Sequence, residues 1–292
     1  MKKSCKHTRR HGIKVALSTL TGGLLHAAAS RHPAIPQLTS SIPLPLKDAL
    51  TGADFAHVVS NVGRQEREEV ILDQLLKGNL PCFLRNLAPV KLEHATNGKI
   101  HRATIFVMPE YLAIGPDDDF LRIPMNLHTA VAVADHFGFL LPTRKMVDAI
   151  YNQSAAHLTP QPLPAGPRMT STEYYRMHNA MIDQQFQSRG FKLGALVSGH
   201  KKDVVVSNRL ISHPGQIAIY GWHRDVDDPI QPLSTVHGAG YADYSHGIRL
   251  IARMALVNGK LVPVAELLLD PDFARVLSDE GPISLESALR LA

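Results

Sequence analysis

Between residues 198 and 249 the chain concentrates the side chains that proton transfer, nucleophilic attack or metal ligation require. Three stretches carry them: Ser198-Gly199-His200-Lys201-Lys202-Asp203, Tyr220-Gly221-Trp222-His223, and His237-Gly238-Ala239-Gly240-Tyr241-Ala242-Asp243-Tyr244-Ser245-His246-Gly247. Each sets a histidine near a glycine where a strand is expected to end. A strand end gives the imidazole a rigid base, and the glycine lets a ligand approach the backbone closely. Neutral imidazole exchanges protons near physiological pH, which puts His200, His223 and His246 first as acid or base. Ser245 could act as nucleophile in a relay with one of these histidines and Asp203 or Asp243. Lys201 and Lys202 could bind an anionic group or stabilise developing negative charge. Trp222 and Tyr241 offer aromatic faces that suit sugar rings and other amphipathic ligands.

A metal site competes with that reading. His237, Asp243 and His246 are ligand types for a divalent ion such as zinc, and His200 or His223 could complete the set. Neither H-E-x-x-H nor a paired C-x-x-C is present. Zinc peptidases of the D-Ala-D-Ala type carry a histidine followed by Gly, Ala and Asp at +3, +5 and +7. His237, Gly240 and Ala242 resemble that series, but Asp243 falls at +6, on the other face of an extended chain. The nucleophile elbow G-x-S-x-G is also broken, because Asp243 stands in place of its first glycine. A plainer reading leaves these histidines and tyrosines bonding strand-end backbone and makes Lys201-Lys202 a solvated turn. His57, His94, His128, His136 and His157 lack clustered partners and read as structural. Asp117-Asp118-Asp119 reads as a surface turn without the spacing of a calcium loop, and Tyr174-Tyr175 as core.

The elements that would position these groups follow from period and capping. Asn61 is expected to cap a helix carrying the charges of Arg64 to Glu69 and ending at Gly78-Asn79. Strands are expected over 100–108, 111–114 and 120–123. Three helices follow: Asn126 caps Leu127 to Phe137 before Gly138, Thr143 caps a helix from Arg144 to about Ala156, and Thr170-Ser171-Thr172-Glu173 opens one running to Arg189. Pro160, Pro162, Pro164 and Pro167 make a stiff connector. Strands are then expected over 193–198 and 204–210, joined through 199–203 as a hairpin or a functional loop, over 216–222 and 248–257, and after the Asn258-Gly259 turn; short helices close the chain near 265–269 and 284–291. Strands, then helices, then strands point to an α+β fold with a largely antiparallel sheet and a helical middle section, in a single domain over 56–292. Ahead of it, 30–55 reads as a proline-rich linker.

Residues 1–29 hold Lys2, Lys3, Lys6, Arg9, Arg10 and Lys14 and no acid, so the formal charge of +5 falls to −1 for the remainder. A basic footprint for nucleic acid is therefore missing from the rest. A cationic stretch, an apolar stretch from Val15 to Leu25 and Ala27-Ala28-Ala29 make the three parts of an export signal, cut after Ala29. Within it, Thr8-Arg9-Arg10-His11-Gly12-Ile13-Lys14 resembles the twin-arginine motif, departing from it at Thr8 and Gly12. No apolar run reaches the roughly 18 residues of a membrane span. Once the leader is removed only Cys82 remains, in an apolar setting that reads as a buried, inert thiol.

Gly199-His200-Lys201-Lys202-Asp203-Val204-Val205, Tyr220-Gly221-Trp222-His223 and Tyr241-Ala242-Asp243-Tyr244-Ser245-His246-Gly247 are similar to stretches in exported bacterial proteins of no assigned activity, over most of residues 65–281. The resemblance implies export and nothing about chemistry. The residues themselves imply a periplasmic or secreted hydrolase acting on a glycan or peptidoglycan fragment. The alternative is a non-catalytic ligand-binding protein of the same compartment.

Overall fold

Helix starts fall where side chains can satisfy the first N–H groups. The Thr51 hydroxyl accepts the Asp54 N–H while the Asp54 carboxylate accepts the Thr51 N–H, opening α1 (Gly52–Val58) with a capping box. This helix begins in the last residues of the stretch expected to be linker and runs into the expected domain. α2 (Arg64–Leu76) begins at Gly63, not at Asn61, and has no side-chain cap; it buries Arg67, Ile71 and Leu75. Asn126 and Thr143 cap α3 (Leu127–Phe137) and α4 (Arg144–Gln153) as expected. Ser171, not Thr170, caps α5 (Thr172–Ser188), because its hydroxyl accepts the Tyr174 N–H. The structure is a computed structural model that describes residues 38–289 except 40 and 97. The expected leader and the first part of the linker lie outside the described residues.

Extended segments are β1 (Ala88–Thr96), β2 (Lys99–Val107), β3 (Ala113–Ile114), β4 (Leu121–Arg122), β5 (Phe139–Leu140), β6 (Ala156–His157), β7 (Val197–Ser198), β8 (Lys202–Val204), β9 (Gln216–Asp225), β10 (Asp228–Gly238), β11 (His246–Gly247), β12 (Ile251–Ala252), β13 (Met254–Val257) and β14 (Lys260–Pro263). Four short helices, α6 (Arg209–Ser212), α7 (Val264–Leu269), α8 (Ala274–Leu277) and α9 (Leu285–Ala288), complete the set. One sheet runs β14–β13–β2–β12–β5 with β1 also on β2, all antiparallel. The other runs β10–β9–β8–β11, antiparallel except for the parallel β8–β11 pair. The fold is α+β with largely antiparallel sheets, as the order of elements implied.

Two departures matter for the site. The expected hairpin over 193–210 is absent. Instead β7 pairs in parallel with β6, and residues 209–212 are helical. Gly199 turns the chain away at φ +95, where an added Cβ would sit 2.5 Å from the Leu158 carbonyl oxygen. β10 is not among the expected strands, and it carries Pro229 and Pro232. It is the edge strand of its sheet, with register shifts against β9, and only such a position tolerates prolines that cannot donate to a ladder. No helix among the described residues is long and apolar enough to cross a membrane. Cys82 is half-buried.

Candidate functional site

The parallel pairing of β11 with β8 decides which side chains meet. His246 lies beside Lys202 and Gly247 beside Asp203, so His246 and Lys202 share one face and Asp203 points to the other. On β9 the chain is forced into an unusual turn: Gly221 has φ +105 and Trp222 φ +56, with the Trp222 N–H bonded to the Lys201 carbonyl at 3.0 Å. A positive φ at a bulky residue costs about 1–3 kcal/mol and persists only where its surroundings over-determine it. Its effect is to bring the indole beneath Lys202, whose ammonium sits 5.1 Å from the ring centroid. On this face stand His246, Lys202 and Trp222.

The loop before β11 supplies the acid. Asp243 Oδ1 accepts the Ser245 N–H at 2.8 Å and the Ser245 hydroxyl at 2.6 Å; Oδ2 accepts the Tyr241 hydroxyl at 3.2 Å and lies 4.0 Å from His246 Nε2. Tyr241 stacks on His237 at 4.2 Å and turns its edge to the His246 ring at 5.7 Å. His246 is fully buried, and neither ring nitrogen has a hydrogen-bond partner. Leaving such a group unpaired costs about 1–3 kcal/mol. Burial pushes the imidazole down to about 4, opposed in part by the Asp243 carboxylate. Burial alone would raise Asp243, but His246 and the Ser245 hydroxyl outweigh it and hold the carboxyl below its ordinary range. At neutral pH the pair is therefore a neutral imidazole beside a carboxylate.

Behind that face runs a sealed polar strut. Asp203 Oδ2 accepts the Tyr111 hydroxyl at 2.8 Å, and the Arg249 guanidinium lies over the Tyr111 ring at 4.3 Å. Burial raises the Asp203 carboxyl to about 6. His200 Nε2 meets Glu110 Oε1 at 2.9 Å, and Arg122 Nε donates to Glu110 Oε2 at 3.1 Å before reaching Asn179 and Asp183. Burial would raise Glu110, yet His200 and Arg122 hold it well below the usual carboxylate range, while burial keeps His200 low. Lys201 donates to the Tyr244 carbonyl at 2.6 Å, and burial, followed by Arg122, lowers its amine to about 7. His223 lies across Gly221 from Asp203 but bonds elsewhere: its Nε2 meets Asp148 Oδ1 at 3.1 Å, and Tyr151 stacks on its ring at 4.6 Å. Tyr151 also stacks on His157, so that histidine is not isolated as expected.

Gly247 joins the face to the strut. A Cβ there would lie 2.6 Å from Tyr111 Cδ1 and 2.7 Å from Lys201 Cβ, and Tyr111 is locked by Asp203 and Arg249. Gly247→Ala is expected to destabilise the fold by about 1–3 kcal/mol, as overpacking does. Urea unfolding checks it; an unchanged midpoint would show that Tyr111 is free to move.

His237, Tyr241, Asp243, Ser245 and His246 thus come together, with Lys202 and Trp222 on the same face. Lys201, His200 and Asp203 serve the strut, and His223 joins Asp148. Ser245 gives its hydroxyl to Asp243 directly, so no imidazole stands between serine and acid as a triad would need. Among the described residues no three His, Cys, Asp or Glu side chains are disposed to hold a metal ion. Glu110, Tyr111, Arg122, Asp148, His178 and Arg249 were not legible as partners. For Arg122 and Arg249 a signal existed: each is a lone charge inside an apolar run (Leu121-Arg122-Ile123, Ile248-Arg249-Leu250), and a buried charge demands a partner. No family model, curated protein or solved structure matches the chain.

Proposed function

We propose that the protein is an exported hydrolase acting on envelope or extracellular material, a glycan or peptidoglycan fragment, with His246 and Asp243 as its proton-handling pair. The observation that supports this is the orphaned imidazole: a buried neutral ring, free at both nitrogens, set 4.0 Å from a carboxylate whose other bonds are fixed. A native fold rarely leaves such a group unpaired, and sites of catalysis or ligand binding are among the places where it does. His246 takes a proton from the water that attacks the carbonyl carbon and returns it to the leaving alcohol or amine as the C–O or C–N bond breaks, and Asp243 stabilises the imidazolium between the two transfers. The Tyr241 hydroxyl and Ser245 orient Asp243. Asp203, bonded to Tyr111 on the opposite face, is not the second carboxylate of a glycosidase pair. The reading therefore favours ester or amide bonds borne by such material over the glycosidic bond.

The test is a screen of purified mature protein against glycan, peptidoglycan and ester substrates, with and without chelator, beside elemental analysis. Turnover that survives chelator supports the histidine–aspartate reading. Stoichiometric zinc with activity lost on chelation would replace it with a site on His237, Asp243 and His246. Saturable binding without turnover would make the protein a binder.

A further inference from the structure

A second set of unsatisfied groups lies beside the His246 pair. His178, on α5, is fully buried with neither ring nitrogen bonded, and it turns its edge to Trp222 at 6.3 Å and to Tyr244 at 5.0 Å. The Trp222 indole N–H is likewise buried without an acceptor. Lys202, over the indole, makes no hydrogen bond among the described residues. The proline-rich connector passes over this group. Its Leu163 gives its N–H to the Tyr244 hydroxyl at 2.8 Å and accepts that hydroxyl's proton at 3.3 Å, and Gln161 Oε1 is buried there without a donor. The ends of the connector are tied down separately, Thr159 by the Gln185 amide and Met169 by the Tyr244 N–H.

These groups ask for one kind of ligand. Indole N–H and ammonium only donate, neutral imidazole donates from one nitrogen and accepts at the other, and Gln161 Oε1 accepts, so the missing partner carries several acceptors and a donor, with a negative charge that would meet Lys202 in competition with Asp243. The walls are aromatic faces and edges, which suit the C–H faces of a pyranose. We propose that His178, Trp222 and Lys202 form a subsite for a carboxylated sugar, roofed by residues 159–169 and released by the Tyr244–Leu163 bonds. The subsite rests on the hydrolase reading only for its place next to His246, because binding can be measured without turnover.

Trp222 is the only tryptophan in the chain, so its fluorescence reports on the subsite directly. Full-length protein is titrated with N-acetylmuramic acid and with N-acetylglucosamine, which lacks the carboxylate. The acid is expected to give a saturable change at a concentration about tenfold lower than the neutral sugar, the weight of one charge-assisted hydrogen bond. Lys202→Met is expected to erase that preference and Lys202→Arg to keep it, with the emission of the free protein confirming that each variant folds. Tyr244→Phe is expected to raise acrylamide quenching of Trp222 by loosening the roof. Equal affinity for the two sugars, no binding of either, or a preference that survives Lys202→Met would overturn the proposal. His246→Ala, which removes the reacting imidazole, is expected to bind the acid unchanged. Binding by a wild-type protein without turnover would remove the hydrolase reading and leave the subsite standing.

Discussion

His246→Ala is expected to lower turnover by about 10²–10⁴-fold, the range that a positioned acid or base supplies. Stability should move much less. The ring fills space in the core, so its removal leaves a cavity, but it also removes two buried nitrogens that have no partner. These effects oppose each other, and a change in Tm small beside the loss of rate is the result to look for. Asp243→Asn should lower the rate in the same direction, since the amide oxygen can still accept from Ser245 while the charge that favours the imidazolium is gone. Single-turnover rates alongside thermal unfolding check both variants. Unchanged turnover in His246→Ala would remove the residue from the mechanism whatever its burial.

Glu110→Gln is expected to destabilise the protein by about 3–5 kcal/mol, because breaking a buried pair from one side strands the other charge. Arg122 is 1% exposed and His200 equally buried, so neither can turn to water for compensation. Arg122 keeps Asp183 and Asn179, which places the cost toward the lower end of that range. The sharper expectation is in the double variant. Glu110→Leu with Arg122→Met removes both charges and should cost less than Glu110→Gln alone, since buried ion pairs are expensive to break and cheap to replace. Urea unfolding of the wild-type protein, Glu110→Leu, Arg122→Met and the double variant measures the cycle. Strict additivity would mean that the two side chains do not act as a pair. Because the strut sits behind the site, these variants should affect stability before they affect chemistry.

Capping chemistry was legible in the sequence wherever one polar side chain could decide a helix start, as at Asn126 and Thr143. It failed at Gly63, where no side chain caps at all. Strand order was not legible, because parallel pairing of short segments such as Val197–Ser198 and Lys202–Val204 depends on partners far along the chain. Sequence reasoning put His200, His223 and His246 on one footing because each lies near a glycine. The fold separates them through residues that carried little signal: Glu110 claims the first, Asp148 the second, and nothing claims the third. Tyr241, Asp243, Ser245 and His246 could be grouped from the sequence because they are close along it. His178 could not, since only the packing of α5 brings it to Trp222 and Tyr244.

NMR titration of the histidine side chains in labelled protein reads the protonation state of His246 directly. The imidazole is expected to stay neutral through the physiological range and to gain its proton only near pH 4, with Asp243→Asn moving that event lower still. An imidazole that titrates in the ordinary histidine range, or carries its proton at neutral pH, would contradict the proposed role of His246.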